Sequence, residues 1–487
     1  MPQEIVINVM SNEVRVALLK NKQLQEVYIE RQRQPSIVGN LYKGKIIRLL
    51  PSLQAAFVDI GLERAAFLHI SDLSQEDNVG IEKNQSIDIQ DKLVVGQEVL
   101  VQVYKDPLGT KGARLTMQYT LPARYLVLTP NVFEVSVSQK IDNEVERQRL
   151  TQTITTGVYG GYIVRTVAEG IASTEFAADQ RVLDARWLAI QKQMQTAKIG
   201  AVVYQDIPIV LRVLRDLAAY DMQGIQVDNL EIATKMREFA QCNAPDLVAR
   251  IHYYDQEKPI FDQFSIEQEI QKALQRHVYL PSGSYLVFDQ TEAMTTIDIN
   301  TGSNIRQTNS EQSIFNANLE AVKEIARQIR LRNLGGMIMI DFIDMEEASH
   351  KEQLVQALRS AMKQDRVRVE VSDVSPLGLV QMTRKRTRES LENTLCVTCP
   401  LCQRRGSIKS LQTMANEIFR QLKRIAIGCH WPGFCIVTSQ DVMNYLSDDQ
   451  SMRWAEVAIK LGKRVIFRAE PNYTQEQYCI LPISNEE

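Results

Sequence analysis

The sequence contains little of several residue types on which particular protein classes depend. Its 487 residues include only 7 cysteines, 15 prolines and 22 glycines, too few for a disulfide-stapled secreted domain, a collagen-like repeat or a long low-complexity chain. No apolar stretch approaches the roughly 18 residues that a membrane-spanning helix needs, and the N-terminus lacks the basic and apolar segments of a signal peptide. We therefore expect a cytoplasmic protein of several globular domains.

Neither sign of charge is in large excess. The 56 Lys and Arg against 59 Asp and Glu give a net charge of -3, which argues against a protein that coats nucleic acid through a global positive field. The cations are nonetheless clustered: four lie between Arg384 and Arg388, and six lie between Arg404 and His430, a segment with one acidic residue. Such runs are either solvated faces or parts of a channel that follows phosphates.

Histidine is equally scarce, and nucleotide-binding loops are missing. None of the 5 histidines lies in the two acidic motifs described next, and His350, on a predicted helix, is expected to be exposed to solvent. There is no phosphate-binding P-loop and no Gly-x-Gly-x-x-Gly motif linked to a strand. The scarcity of histidine and the missing nucleotide-binding loops therefore disfavour a histidine-based or nucleotide-driven mechanism and favour water activated by a metal ion.

Two predicted strands end in carboxylates. Asp298 and Asn300 lie in the motif TTIDINTG at 295–302, and Asp341 ends an apolar strand in GGMIMIDFID at 335–344. A carboxylate at the end of an apolar strand is costly unless it is paired or binds a metal. Two carboxylates and an amide oxygen are the hard ligands that Mg²⁺ prefers. The alternative for each aspartate is that it caps a turn or a helix.

The N-terminal part of the chain is rich in strands. Residues 4–30 alternate apolar and polar residues as antiparallel strands do, and residues 38–117 resemble the five short strands of an S1 RNA-binding barrel. Phe57 and Phe67 fall on neighbouring strands of that barrel, with Lys111 nearby. Aromatic rings and a cation in this arrangement bind single-stranded RNA by stacking and by charge, unless the phenylalanines fill the barrel core.

Strands alternate with helices later in the chain. Strands are predicted at 284–289, 295–300, 337–342 and 367–371, and helices at 174–198, 310–333 and 346–365. This alternation predicts an α/β layer with a largely parallel sheet. A smaller α/β unit is expected from residue 411 onwards.

A cysteine cluster precedes the small unit. Cys396, Cys399 and Cys402 fall within seven residues, and a Cys-x-x-Cys pair such as Cys399 and Cys402 suits tetrahedral Zn²⁺. Because no second Cys-x-x-Cys pair follows at the usual spacing, three interpretations stay open. The site is completed within the chain by Cys396, Cys429, His430 or Cys435; two chains each donate one pair; or the thiols are reduced and bind no metal.

A weaker signal follows the glycine pair at 160–161. Arg165 and Thr166 offer a guanidinium fork and a hydroxyl, which together could hold a terminal phosphate. By itself an Arg-Thr pair is not specific.

Together these motifs resemble the ribonuclease E/G family of endoribonucleases over almost the whole chain. The resemblance is carried by the S1-like block and by four further motifs: IVRT at 163–166, TTIDINTG at 295–302, LRNLGGMIMIDFIDM at 331–345 and CPLC at 399–402.

The resemblance implies a role for each candidate residue. Asp298 and Asp341 would bind Mg²⁺, with Asn300 orienting Asp298 or the substrate. The other implied groups are Cys399 and Cys402 as half of a zinc site shared by two protomers, Arg165, Thr166 and the Val127 backbone as a sensor of a 5′-monophosphate, and Phe57, Phe67 and Lys111 as the S1 surface for RNA.

The resemblance also implies a multidomain α/β (α+β) fold with an inserted S1 barrel. Its parts would be an RNase H-like subdomain in two pieces (1–35 and 210–273), the S1 barrel (36–118), the sensor region (119–209), a DNase I-like catalytic subdomain (274–394), a zinc link (395–410) and a small dimerisation domain (411–487). Homodimers are expected, with further pairing into tetramers left open.

The sequence departs from the family pattern at two places. Gln403-Arg404-Arg405-Gly406 stands where the family usually places further glycines, so the turn after the zinc pair has to form without them. Ala123-Arg124 stands where a glycine is expected near the sensor. The resemblance therefore does not carry over a contact between the backbone at this position and the phosphate.

We therefore predict a Mg²⁺-dependent endoribonuclease of single-stranded RNA that leaves 5′-phosphate and 3′-hydroxyl ends. The substrates implied by the resemblance are ribosomal RNA precursors, including the 5′ end of the 16S precursor, and decaying messages that carry a 5′-monophosphate. One rival is an S1-containing binding protein without nuclease activity, which does not explain the strand-end carboxylates. A metal-dependent DNase or phosphodiesterase is the other rival, and the S1-like barrel favours RNA over it.

Overall fold

The structure, a computed structural model, describes residues 3–32, 35–73, 88–107, 111–217, 222–301, 311–448 and 462–483. Gly302, which ends the first acidic motif, and Ser310, where a helix is predicted to begin, lie outside the described residues. None of the helices described is long and apolar enough to cross a membrane. The chain divides into two compact units, Met1–Thr394 and Leu395–Glu487.

The first unit begins with three antiparallel strands, β1 (Gln3–Val9), β2 (Glu13–Lys20) and β3 (Gln23–Arg31). Asn21 and Lys22 join β2 to β3 with positive φ angles of 51° and 63°. A two-residue turn of this kind matches the twist of the strands that it connects. The alternation predicted at 4–30 is confirmed.

A closed barrel follows. Its elements are β4 (Leu41–Leu50), β5 (Ala55–Asp59), β6 (Ala66–His69), helix α1 (Ile89–Lys92), β7 (Glu98–Lys105) and β8 (Arg114–Thr116). Strand β4 pairs with both β5 and β7, so the sheet closes on itself. Gly44 allows β4 to approach β5 closely, because a Cβ there would lie 2.6 Å from Val58 Cγ1. The predicted five-stranded barrel is confirmed.

A four-stranded sheet comes after the barrel. Its elements are β9 (Leu121–Pro122), β10 (Leu126–Pro130), β11 (Val135–Val137), α2 (Glu144–Thr153), β12 (Gly160–Val164) and α3 (Ser173–Thr196). The strand order is β11-β12-β10-β9. β13 (Val202–Tyr204) then pairs with β4 of the barrel. Helix α3 agrees with the helix predicted at 174–198.

The chain next returns to the first sheet. The elements are α4 (Ile209–Arg212), a π-helical turn at Val213–Leu217, β14 (Met222–Val227), α5 (Leu230–Asn243), β15 (Ile251–Tyr253), α6 (Ile260–Gln263) and α7 (Ile266–Ala273). β14 pairs in parallel with β1, which gives the order β15-β14-β1-β2-β3. The barrel and the four-stranded sheet are therefore inserted between two parts of one sheet.

A six-stranded sheet completes the first unit. Its elements are β16 (His277–Tyr279), β17 (Tyr285–Gln290), β18 (Met294–Asn300), α8 (Glu311–Leu331), β19 (Gly336–Asp341), α9 (Ala348–Met362), β20 (Val369–Val374) and β21 (Leu379–Arg384). The order is β16-β17-β18-β19-β21-β20. Only the β18–β19 pair is parallel among the pairings of this sheet that the structure describes. The prediction of a largely parallel sheet is therefore wrong, because the hairpins β16–β17, β17–β18 and β20–β21 supply antiparallel pairs and β21 lies between β19 and β20.

The two faces of this sheet differ. Alternate residues such as Ile297 and Ile340 pack with α8 and α9 in the core. The residues between them lie on the opposite face, where Asp298 and Asp341 are exposed. We call this second face the open face.

The second unit is a small α/β domain. Helix α10 (Leu391–Leu395) ends where this unit begins, and α11 (Leu411–Ala426), β22 (Gly433–Thr438), α12 (Gln440–Asp448), β23 (Arg464–Ala469) and β24 (Tyr478–Ile483) follow. The strand order is β23-β22-β24. One face of α11 packs on the sheet through Ile418 and Leu422. The predicted small α/β unit is confirmed.

Candidate functional site

Asp298 and Asp341 are neighbours on the open face. They occupy the same register position on the parallel strands β18 and β19. Asn300, two residues beyond Asp298, donates a hydrogen bond of 2.6 Å from Nδ2 to Asp298 Oδ2. Asp298 lies within a strand and Asp341 ends one, so neither aspartate is a helix cap. The structure thus brings the three predicted residues together.

The two carboxylates repel each other. Burial, and then the negative charges of Asp298 and Asp344, raise the pKa of Asp341. A cation at this position would offset the repulsion. Within the described part of the chain, no His, Cys, Asp or Glu completes a group of three that could hold a metal. An ion bound here would take its remaining ligands from water or a substrate phosphate, as Mg²⁺ commonly does.

A buried asparagine fixes the segment that follows Asp341. Asn318, on α8, is fully buried. Its Nδ2 donates to the carbonyl oxygen of Ile343 at 2.9 Å, and its Oδ1 accepts the N–H of Ile343 at 3.1 Å. Sequence reasoning missed Asn318, although a polar residue on the apolar stripe of a helix is a usable signal.

Glu311 and His350 hold the same segment from its other end. Glu311 accepts the backbone N–H groups of Glu346 and Glu347 at 3.1 and 3.2 Å, and its carboxylate lies 3.1 Å from His350 Nδ1. The His350 ring stacks on Phe315 with centroids 4.3 Å apart, and its side chain is 12% exposed. The prediction that His350 is exposed to solvent is therefore wrong.

Phe57 and Phe67 lie outside the barrel core. They are register partners on β5 and β6, with ring centroids 6.2 Å apart in an edge-to-face arrangement. Their chain neighbours Ala56, Val58 and Leu68 fill the core instead. The alternative that the phenylalanines form the barrel core is wrong, because strand alternation turns them outward.

Cations flank this aromatic pair. Arg48 lies beside the first ring on β4, and Arg114 lies beside the second on β8. Lys111 is exposed and lies two residues before Ala113, whose carbonyl oxygen accepts the N–H of Phe67 at 2.8 Å. Sequence reasoning missed the two arginines because only the strand register places them there.

Tyr104 connects the barrel to the six-stranded sheet. Its ring is 39% exposed, and the Nζ atom of Lys385 lies 5.4 Å from the ring centroid. Lys105 and Arg114 approach the same ring at 5.9 and 6.0 Å. Because Lys385 follows β21, this cation–π contact joins the barrel to the subdomain that carries the carboxylates.

The basic run at 384–388 is mainly structural. Arg384 and Asp365 form a pair at 2.7 Å with side chains only 5% and 2% exposed. Arg386 and Arg388 donate hydrogen bonds of 2.9 and 2.8 Å to backbone carbonyls of other segments. The interpretation of this run as a phosphate channel is therefore wrong for Arg384, which is buried in an ion pair. Lys385 is the residue of this run that contacts Tyr104 on the barrel.

Arg165 is engaged within the protein. Its Nη1 lies 2.8 Å from Asp216 Oδ1 and 2.7 Å from the carbonyl oxygen of Ala123. Burial alone would raise the pKa of Asp216, but the charges of Arg165 and Arg215 outweigh burial and lower that pKa. A phosphate at this position would add to, or compete with, an existing ion pair.

Thr166 and Val127 lie in the same sheet region. The hydroxyl of Thr166, an exposed residue, is 3.0 Å from that of Ser138. The N–H of Arg165 donates to the carbonyl oxygen of Tyr125 at 2.9 Å, two residues before Val127 on the adjoining strand. The three predicted sensor residues are therefore near one another along two paired strands.

The Ala123-Arg124 departure from the family pattern has a structural role. The Arg124 side chain is buried, and its guanidinium binds both carboxylate oxygens of Asp246, one of them at 2.8 Å. Its Cζ lies 5.2 Å from the centre of the Tyr125 ring. Arg124 thus ties the four-stranded sheet to the segment after α5.

Cys399 and Cys402 form a tight turn in the second unit. Hydrogen bonds from the N–H groups of Cys402 and Leu401, and from the Cys402 thiol, lower the pKa of Cys399. Gln403 and Arg404 follow with positive φ angles of 48° and 70°, so the turn forms without the family's glycines.

No third ligand joins the cysteine pair among the residues that the structure describes. Completion of a zinc site within one chain therefore has no support. The four residues considered for it were Cys396, Cys429, His430 and Cys435, and all four belong to the described residues.

Comparisons with known proteins agree with this architecture. The profile of the S1 RNA binding domain matches residues 37–117, and that of the ribonuclease E/G family matches residues 120–387. The chain is 44% identical to ribonuclease G of Escherichia coli (strain K12) over 99% of this chain and 100% of that protein. It is 42% identical to ribonuclease G of Haemophilus influenzae over 98% and 99% of the two chains.

Ribonuclease E of Haemophilus influenzae is a more distant relative. It is 37% identical over 90% of this chain and 47% of its own length. The expected resemblance to the ribonuclease E/G family and the S1 assignment are confirmed, as is the prediction of an enzyme of the ribonuclease class. The chain belongs to the ribonuclease E/G family.

Proposed function

We propose that this chain is a Mg²⁺-dependent endoribonuclease that hydrolyses single-stranded RNA and leaves 5′-phosphate and 3′-hydroxyl ends. The observation that carries the proposal is the register pair of Asp298 and Asp341, with Asn300 bonded to Asp298, in a chain that also contains an S1 barrel. Ribosomal RNA precursors, among them the 5′ end of the 16S precursor, and decaying messages are the proposed substrates.

The chain's own residues fit a Mg²⁺ ion. Asp298 and Asp341 present two exposed carboxylates side by side, and their mutual repulsion favours a divalent cation between them. When bound, Mg²⁺ would polarise the scissile phosphate and lower the pKa of a water ligand. Asn300 fixes one oxygen of Asp298, and Asn318 holds the segment after Asp341, so the protein keeps both carboxylates in position.

The barrel supplies the binding surface for RNA in this proposal. Phe57 and Phe67 would stack on bases, and Lys111 would attract phosphates. A binding protein without nuclease activity would have no need of the carboxylate pair. A DNase would have no need of the S1 barrel.

We further propose that Arg165, Thr166 and the Val127 backbone favour substrates with a 5′-monophosphate. Arg165 retains guanidinium N–H groups besides the Nη1 that contacts Asp216 and Ala123. A terminal phosphate could use these groups together with the hydroxyl of Thr166.

The zinc site and the oligomeric state belong to the same proposal. Cys399 and Cys402 supply two of the four thiolates that a structural zinc site needs, so a second chain would supply the other two. This arrangement makes a homodimer, with tetramers formed by further pairing. We also propose that 1–35 with 210–273 is RNase H-like, that 274–394 is DNase I-like, and that the protein works in the cytoplasm, where its thiols stay reduced.

One assay separates the proposal from its two rivals. The full-length protein is incubated with 5′-monophosphorylated single-stranded RNA and with DNA of the same sequence, each with Mg²⁺ and with EDTA. Cleavage of RNA that needs Mg²⁺ and spares DNA supports the proposal. RNA binding without cleavage, or equal cleavage of DNA, rejects it in favour of the corresponding rival.

A further inference from the structure

Aromatic side chains continue the open face beyond the carboxylates. On β16 and β17, Tyr279 and Tyr285 are register partners, and Tyr285 is in turn the partner of Asn300 on β18. Residues directly opposite each other on antiparallel strands project from the same face of a sheet. One row therefore runs from Tyr279 through Tyr285 to the amide that orients Asp298.

The rings in this row touch one another. The centroids of Tyr279 and Tyr285 lie 5.9 Å apart at an interplanar angle of 46°. The ring of His277 lies 5.8 Å from that of Tyr285. In the next register row, His277 pairs with Val287, which pairs with Asp298. The three rings thus form one cluster beside the candidate site, which we call the aromatic shelf.

The aromatic shelf is accessible in the structure. Tyr279 is 75% exposed, His277 is exposed and Tyr285 is half-buried. Single exposed apolar residues are ordinary on protein surfaces, but a contacting group of rings at the edge of a reactive site indicates a binding surface. The other face of the same strands already packs in the core through Leu286 and Phe288, so these rings are not needed there.

The position of the shelf indicates its occupant. Two strand spacings, about 10 Å, separate Tyr279 from Asn300, so a base next to a phosphate at the carboxylates can reach the rings. Every base presents a π-face to an aromatic side chain, whereas a packed protein partner would place its own surface over the exposed carboxylates. Both features favour single-stranded RNA.

We propose that Tyr279 and Tyr285, assisted by His277, stack a base adjacent to the scissile phosphate and so help to choose which bond is cut. This inference rests on the proposed nuclease function and adds a binding position to it. Stacking tolerates any base, but it is stronger for larger rings. We therefore expect cleavage to favour a purine at the position that the shelf occupies.

The first test measures stacking without cleavage. Full-length protein carrying Asp298→Asn is mixed with RNA oligonucleotides that contain 2-aminopurine at successive positions around a cleavage site. We expect fluorescence quenching at one position, its loss when Tyr279→Ala and Tyr285→Ala are added, and its retention with Tyr279→Phe and Tyr285→Phe. Tyr253, on β15, is a tyrosine that is 41% exposed. Tyr253→Ala serves as the control and should leave the fluorescence quenching unchanged.

The second test uses cleavage by the otherwise unaltered enzyme. An abasic site at the shelf position should lower kcat/KM by roughly fivefold or more, and should have little further effect once both tyrosines are alanine. If the wild-type protein and the double alanine variant are equally sensitive to the abasic site, the proposal is wrong. A change of sedimentation on Tyr279→Ala with abasic sensitivity unaltered also overturns it, because the shelf would then be a protein interface.

These tests distinguish the inference from the proposed function. If the wild-type protein fails to cleave RNA, the nuclease assignment is wrong whatever the fluorescence shows. If it cleaves RNA and position-specific quenching is absent, only the aromatic shelf is wrong.

Discussion

Asn300 donates a hydrogen bond of 2.6 Å to Asp298, and in the neighbouring strand Tyr285 is the register partner of Asn300. The asparagine therefore lies between the carboxylate pair and the aromatic shelf. Its amide neutralises no charge, so its contribution is to fix the position of one oxygen of Asp298.

Asn300→Ala should lower kcat while changing the affinity for RNA little. A hydrogen bond to a charged group contributes about 1.5–3 kcal/mol, so the loss in kcat should be roughly tenfold or more. Steady-state kinetics on a single-stranded RNA checks this expectation. Asn300→Ser, which retains a shorter donor, should recover part of the rate, and an alanine variant as active as wild type would show that Asp298 needs no such support.

Asn318→Leu should destabilise the first unit and raise the Mg²⁺ concentration needed for half-maximal cleavage. The substitution leaves both backbone groups of Ile343 without their buried partner, at a cost of about 1–3 kcal/mol in the free energy of unfolding. Denaturant unfolding and Mg²⁺ titration of cleavage measure the two effects. Asn316→Leu changes an exposed asparagine on the same helix and is the matched control; equal losses in both variants would contradict a special role for Asn318.

Cys399→Ser combined with Cys402→Ser should release zinc and move the protein from dimer towards monomer. Two thiolates per chain are half of the ligands of a tetrahedral zinc site, so in the proposed site a second chain completes the coordination of the ion. Metal analysis and analytical ultracentrifugation measure the two outcomes. Cys396→Ser alters an exposed thiol of the same cluster and should leave both unchanged. A double variant that stays dimeric with its zinc retained would reject the shared site.

Arg404→Gly should stabilise the second unit. Arg404 has a φ of 70° in the turn after the cysteine pair, and a side chain in this left-handed conformation costs roughly 1 kcal/mol relative to glycine. A rise in the midpoint of thermal unfolding of that unit is expected. Ser407→Gly changes a residue with no positive φ and should lower the midpoint slightly, so a fall in both variants would show that the turn is not strained.

Sequence patterns predicted the elements of this protein better than their pairing. Alternation located the strands of the barrel, and the apolar stripe located α8, because both signals are local in the chain. Strand direction is not local: only one strand pair around the carboxylates is parallel, and β16, with three residues, is too short for a pattern to show. The row from Tyr279 to Asn300 could not be predicted for the same reason.

Charge runs were a poorer guide to the site than the acidic motifs. The sequence shows that Arg384 lies among cations, but it cannot show that Asp365 is buried beside it. The two aspartates were identifiable because each interrupts or ends an apolar strand, where an unpaired charge is costly. Asn318 carries a similar local signal, and its role became clear only from its bonds to Ile343.

Asp298→Asn tests most directly whether the carboxylate pair carries the cleavage reaction. The measurement is the single-turnover rate of cleavage of 5′-monophosphorylated single-stranded RNA in saturating Mg²⁺, together with the dissociation constant of the same RNA. We expect the rate to fall by about a hundredfold or more, equal to about 2.7 kcal/mol of transition-state stabilisation, with RNA affinity nearly unchanged. Cleavage at the wild-type rate by this variant would show that the carboxylate pair does not carry the reaction.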